Sequence, residues 1–332
     1  MLVDSCVDQS NGSPPAFGYL TEIGVDVANR VHLVVGTHAH DDHIAGIGDA
    51  FVAASSARFV CSSALTRDEF YALVQADADI SAEFRESIRA EYGKVFAEVA
   101  RRGKRNHRAW LTRAVEGRVL WERPQAGSIP AARVTALSPS DRAVTRAIAA
   151  LAAGTAKAGE RRQLSSADPN ELAVAIWVEV GEHSALLGAD LLTGPAGCGW
   201  HAVLSSFSPT SRASLFKVPH HGAPNAHHEG VWQDLVSDKP VAVAAPFRGG
   251  KRPRPQPEDV TRVCAVAENF WLTAAAPLPA QSAAVKRTAA TMNSIATNVR
   301  DPHGRPGQVR ARVAQADQQW KVDVVPPARA MC

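Results

Sequence analysis

The stretch Val31-His32-Leu33-Val34-Val35-Gly36-Thr37-His38-Ala39-His40-Asp41-Asp42-His43 decides how this chain is read. Residues 31–36 are apolar and β-branched over a short span, the mark of a buried strand. Apolar residues at helical spacing over 44–54 predict a helix directly afterwards. The polar segment between them therefore sits at the C-terminal end of a strand, the rim on which layered α/β proteins assemble their sites. Three imidazoles with carboxylates beside them can converge there on a metal, and that donor set suits Zn²⁺, Mn²⁺ or Fe. His38 and His40 alternate and can serve one centre. Asp42 and His43 open the next helix and can serve a second, with Asp42 also placed as a catalytic carboxylate.

Two further clusters follow predicted strands. Asp190 ends the strand 184–189, and its two oxygens could bridge two cations. Pro219-His220-His221-Gly222 follows the apolar run 215–218. Taken singly, a strand-end aspartate or a His-His-Gly turn is weak evidence. Three acid/histidine clusters at three strand ends carry more weight together.

Outward from these clusters, the pattern remains α/β. Helices are predicted over 15–23, 81–102, 141–153, 230–237 and 258–267, and strands over 58–61, 119–120, 134–137, 172–180, 184–188, 215–218 and 241–245. Residues 62–115 read as a helical insertion, ending in the basic run Arg101–Arg113. Residues 249–257 form a proline-broken basic loop. Residues 309–313 and 320–325 predict a terminal hairpin. The reading gives a catalytic-type domain over 1–275 and a C-terminal extension over 276–332.

Composition narrows the classes. The chain has 332 residues, 45% hydrophobic and 21% charged, with a formal net charge of +3. These values exclude a collagen, a disordered acidic or basic tail and a strongly basic nucleic-acid coat. The apolar runs 173–178 and 241–246 have the length of core strands and fall far short of the ~18 residues that read as a membrane span. The N-terminus lacks a basic segment leading into an apolar one, so no signal peptide is read. Five cysteines, with no CxxC pair, read as reduced thiols in a cytoplasmic protein rather than as a disulfide framework.

The HxHxDH pattern of 38–43, the segment Leu186-Leu187-Gly188-Ala189-Asp190 and the later Lys217-Val218-Pro219-His220-His221-Gly222 together resemble the metallo-β-lactamase superfamily. Within it they are most similar to the metallo-hydrolase domain of ComEC-type DNA-uptake proteins. The resemblance spans about residues 1–275. It implies a four-layer αββα sandwich with two divalent cations, Zn²⁺ or Mn²⁺, at the rim of the two sheets. His38, His40, Asp42, His43, Asp190 and His221 would be ligands. His220 would face substrate and protonate the leaving group, with the two adjacent histidines able to exchange roles. Asp4 resembles the family's early strand-end aspartate, near the site in a structural role.

The chain departs from the family in two places. Most members supply one more histidine before the bridging aspartate. The residues available are His107, in the basic run, and His183. The latter stands seven residues before Asp190 in an extended strand, about 23 Å away at roughly 3.3 Å per residue. The ComEC-type branch instead has polar residues near the site, which here would be Ser166, Asp168 and Asn170, and Lys217 is a candidate anion contact. The family also places two strands ahead of the segment matching 2–4. An uncovered sheet edge there would invite strand addition by a protein partner or a second copy.

The activity implied is hydrolysis by a metal-bridging hydroxide. The resemblance favours a phosphodiester, nucleic acid included, with the basic segments 101–113 and 251–254 as phosphate contacts. Lactam, thioester or lactone hydrolysis, and a catalytically weak metal-binding regulator or scaffold, are the alternatives.

Overall fold

The computed structural model describes residues 1–8, 12–63, 82–104, 109–155, 169–247, 253–274, 291, 307–317 and 319–332. It is a mixed α/β protein that divides into two compact units. One comprises Met1–Val180 and Ala189–Ser208; the other comprises Gly181–Gly188 and Pro209–Cys332.

In the first unit, β1 (Leu2–Val3) leads to helices α1 (Pro15–Glu22) and α2 (Val27–Arg30), then to β2 (Leu33–Val35). Proline at the start of α1 sacrifices a backbone N–H that would be unpaired anyway. The α2 cap, Asp26, accepts from the Ala28 and Asn29 amides. Next come α3 (Asp41–Ile44), α4 (Ile47–Ala53), β3 (Arg58–Ser62), α5 (Ala82–Gly103) and β4 (Leu111–Ala114). The expected single helix over 44–54 is broken at Gly46, whose φ of 77° is left-handed. The strands form a parallel sheet in the order β1-β2-β3-β4.

The core beneath this sheet corrects the reading of 62–115 as an insertion. Ile88, Tyr92 and Val95 of α5 are buried in one cluster with Val34, Ile44, Ile47, Phe51 and Phe59. Phe59 meets both Phe51 and Tyr92 edge-on, at centroid distances of 5.4 and 6.0 Å. Thus α5 is the crossover between parallel strands β3 and β4, and its apolar stripe belongs to the main core.

The basic run is corrected as well. Arg102 is 4% exposed. Its guanidinium donates to the carbonyls of Phe51, Ala54 and Ala57 and to Glu98, at 2.6–3.3 Å, and lies 4.1 Å from the Phe51 ring centre. Arg101 pairs with the same Glu98. Arg102 thus ties the end of α5 to the end of α4 and the turn that follows it, while Arg101 pairs within its own helix. His107 lies outside the described residues.

The first unit continues with β5 (Val119–Arg123), β6 (Ala132–Ala136), α6 (Asp141–Thr155), β7 (Ile176–Val180) and, after Asp190, a helix at Gly199–Ser206. β5, β6 and β7 are antiparallel neighbours. The Gly199–Ser206 helix, here α7, went unread in the sequence because it begins inside the glycine-rich stretch 194–199. Gly199 has φ of 54°, and a side chain there would lie 2.2 Å from the Leu192 carbonyl oxygen.

In the second unit, β8 (His183–Leu187), β9 (Ala213–Lys217), β10 (Val236–Ala244) and β11 (Asn269–Leu272) are parallel neighbours in that order. Helix α8 (Pro257–Cys264) precedes β11 and starts with a reciprocal capping box between Gln256 and Asp259. Strands β12 (Gln308–Arg312) and β13 (Lys321–Val325) form an antiparallel hairpin, and β14 (Arg329–Ala330) adds antiparallel to β11. Trp320 donates to Ser214 at 3.0 Å, which ties the hairpin to β9.

The cysteine reading is also corrected. Cys264 and Cys332 form a disulfide across 68 residues, while Cys6, Cys61 and Cys198 are free. Pairing brings together residues remote in the chain, which spacing and parity in a sequence do not reveal.

Candidate metal centre

The rim of the first sheet is built from the turn that follows β2. Val35 ends that strand, and the backbone then turns so that Thr37, His38 and His40 precede α3. Gly36 is held tightly: a side chain on it would lie 3.0 Å from the Tyr92 hydroxyl and 3.1 Å from Phe59. The Thr37 carbonyl accepts from the Val174 amide at 3.0 Å, docking the segment that follows Asn170 onto the histidine turn.

Three donors expected from the sequence meet there. His38, His43 and Asp190 are all buried, and one ligand atom from each lies within 4.8 Å of the others. His43 Nε2 stands 3.4 Å from Asp190 Oδ1 and 3.7 Å from Asp42 Oδ2. His38 Nε2 and His40 Nδ1 are 3.2 Å apart. Two donors on one tetrahedral zinc, each bonded at about 2.0–2.1 Å, are about 3.4 Å from one another. The His43–Asp190 pair matches that spacing, and the nitrogen–oxygen donor set suits a divalent cation such as zinc or manganese.

Asp4 organises this set. It follows β1 with a φ of 57°, a left-handed backbone that aspartate tolerates better than most residues. Its Oδ1 accepts from the Thr37 amide at 2.8 Å, and its Oδ2 accepts from the Thr37 hydroxyl at 2.9 Å and from His43 Nδ1 at 2.6 Å. These bonds assign protons. The Thr37 hydroxyl spends its single hydrogen on Asp4, so toward His38 Nδ1, 2.9 Å away, it acts as acceptor. Both His38 and His43 then carry hydrogen on Nδ1, which leaves Nε2 as the nitrogen that each neutral ring would offer to a cation. A carboxylate behind a ligating imidazole is the arrangement that fixes ring orientation and raises basicity.

The electrostatics point the same way. Burial pushes the His43 pKa down, but the carboxylates of Asp190 and Asp4 outweigh it and hold the value at about 10. Charges that stabilise a proton on this ring would also stabilise a cation beside it.

The second unit holds the other cluster. After β9 the chain makes a short 3₁₀ turn, His220–Gly222, in which His220 and His221 have φ of 45° and 56°. His220 Nδ1 donates to Asn225 Oδ1 at 2.9 Å, and His221 Nδ1 donates to the Ala245 carbonyl at 2.9 Å. The His221 ring stacks on Phe247 with centroids 5.1 Å apart. Both rings thus leave Nε2 as the working nitrogen. His183 is turned to other use: its Nε2 lies 3.2 Å from the Ala314 carbonyl, and its ring meets the edge of Trp320.

The remaining expected residues are placed as follows. Asn170 is buried in a 3₁₀ turn at Pro169–Leu172, and Lys217 ends β9 half-buried. Ser166 and Asp168 lie outside the described residues. In the basic loop, Arg254 pairs with the buried Asp259 instead of facing outward, and 251–252 are not described. Thr37, Asn225 and Phe247 were not singled out in the sequence. Adjacency to His38 marks Thr37 in retrospect; the other two have no local signal.

No family model matches the chain, and no curated protein matches it. No helix among the described residues is long and apolar enough to cross a membrane.

Proposed function

We propose that the chain is a metal-dependent hydrolase of the metallo-β-lactamase type, acting on a phosphodiester through two divalent cations, zinc or manganese. The observation that carries this reading is the convergence of buried His38, His43 and Asp190 within 4.8 Å. When bound, the cations would lower the pKa of a water to about 7 and so supply a nucleophile at neutral pH.

The chain's own residues have distinct tasks in this reading. His38 and His40 offer imidazole nitrogens at the first position. Asp42 and His43 would serve the second, with the Asp190 carboxylate beside them. Asp4 and Thr37 keep the rings of His43 and His38 in the tautomer that exposes Nε2. The Asn225 contact to Nδ1 leaves Nε2 as the working nitrogen of the His220 ring. Of the basic residues expected to contact phosphate, Arg102 is buried and Arg254 pairs with Asp259, which leaves fewer cations for a nucleic acid among the described residues. A smaller phosphodiester is favoured.

The test is metal content by elemental analysis combined with hydrolysis of bis-p-nitrophenyl phosphate in added Mn²⁺ or Zn²⁺. Two equivalents of metal with turnover, lost in His40→Ala and Asp190→Asn, are expected. The alternative carried by the sequence is a metal-binding regulator or scaffold. One equivalent or none, without turnover across several metals, would establish that reading instead.

A further inference from the structure

The His220–Gly222 turn is costly. Two successive non-glycine residues sit in the left-handed region, a conformation that persists only where its surroundings over-determine it. Those surroundings converge on helix α8. Arg262 donates one Nη2 both to the Gly222 carbonyl, at 2.6 Å, and to Asp259, at 2.7 Å. Asp259 is 0% exposed and also accepts from Arg254, at 2.5 Å, and from the Gln256 amide, at 2.9 Å. Arg254 exchanges backbone hydrogen bonds with Phe247, both 2.8 Å, and Phe247 is the ring against which His221 stacks. From its single buried carboxylate, α8 thus braces the turn on two sides: the Gly222 carbonyl and the His221 ring.

The helix in turn has a covalent anchor. Cys264, its final residue, is bonded to Cys332. Among the described residues, the segment 329–332 is otherwise held by the β14 pairs Trp271↔Ala330 and Leu272↔Arg329, by Met331, which donates to Phe270 at 2.7 Å, and by Cys332 Sγ, 3.3 Å from the Ala267 carbonyl oxygen. Cys332 is exposed and Cys264 half-buried, so a dithiol can reach the bond.

We propose that the Cys264–Cys332 disulfide is a redox latch that keeps α8 braced against the His220–Gly222 turn, and that a dithiol reductant of the thioredoxin type releases it. The reductant supplies two electrons and two protons. The sulfur–sulfur bond breaks, Cys264 and Cys332 become thiols, and the reductant closes to its own disulfide. Freed of its tether, the two-residue strand β14 leaves β11, α8 loses its anchored end, and the strained turn relaxes. The effect on turnover rests on the hydrolase reading; the mechanical coupling does not.

Hydrogen exchange on the metal-free full chain, with and without dithiothreitol, tests the latch separately from activity. Alkylation with mass spectrometry verifies that two additional thiols appear on reduction. Reduction is expected to speed exchange about tenfold or more at 219–223, 257–264 and 270–272, since local opening is limited by the contacts removed. Cys332→Ser without reductant, altered only at an exposed position, is expected to exchange at the fast rate already and to ignore the reductant. Verified reduction that leaves exchange at 219–223 unchanged would overturn the proposal, as would a reductant response in Cys332→Ser. Accelerated exchange in a protein with no hydrolytic activity would uphold the latch and remove only the hydrolase reading.

Discussion

Asp4 Oδ2 accepts from His43 Nδ1 at 2.6 Å, across 39 residues of sequence, and the same oxygen accepts from Thr37 at 2.9 Å. One carboxylate thereby sets the protonation pattern of two candidate ligands, one directly and one through a hydroxyl.

Asp4→Asn should weaken metal binding without unfolding the chain. Asparagine tolerates the left-handed backbone at this position, whereas the negative charge behind His43 is lost. Losses of outer partners of this kind run to about 10–100-fold in metal affinity. Competition against a zinc chelator, with circular dichroism as the control for folding, measures it; unchanged affinity would remove Asp4 from the site.

Thr37 separates size from hydrogen bonding. Thr37→Val keeps the shape but leaves the His38 Nδ1 hydrogen and Asp4 short of a partner, at a cost of about 1–3 kcal/mol. Thr37→Ser retains the hydroxyl. Metal affinity should fall in the valine variant and be largely restored in the serine variant. Equal behaviour of the two would show that the hydroxyl sets no tautomer.

Glu98 predicts a pH dependence of stability. Hydrogen bonds from Arg101 and Arg102 outweigh burial and hold its pKa at about 2, down from 4.5. The depressed folded value means that the stabilisation is complete above the unfolded value and is lost as pH falls from about 4.5 toward about 2. Its size is roughly 3 kcal/mol at most. Urea midpoints measured between pH 6 and pH 3 should fall more steeply for the native chain than for Glu98→Gln. Parallel slopes would contradict the buried pairing.

Gly199→Ala should be among the most disruptive single-methyl additions. It combines a left-handed φ of 54° with a contact of 2.2 Å to the Leu192 carbonyl oxygen. Backbone strain and overpacking together predict a loss of about 2–5 kcal/mol, read as a drop in melting temperature. Because Leu192 and Thr193 follow closely on Asp190, metal binding should suffer with it.

The candidate ligands of the first rim were legible because metal chemistry needs particular residue types, and the strand ahead of them is marked by an unbroken β-branched run. Asp190 was legible only in company with the other clusters. What escaped was decided by packing or by distance along the chain. Residues 111–114 form a strand that the neighbouring arginines disguised as the tail of an insertion. Arg102 reads as a surface cation, yet is buried among the carbonyls of Phe51, Ala54 and Ala57. Phe247 and Asn225 steer the second histidine pair through contacts that no local pattern announces.

Arg102 also offers a marker of descent. Its planar fork reaches three main-chain oxygens while its Nε bonds Glu98, a set of directions that the single ammonium of lysine does not reproduce. A diverged sequence with any other residue at this position must have rebuilt the junction between α5 and the end of α4, whatever it has kept of the histidines.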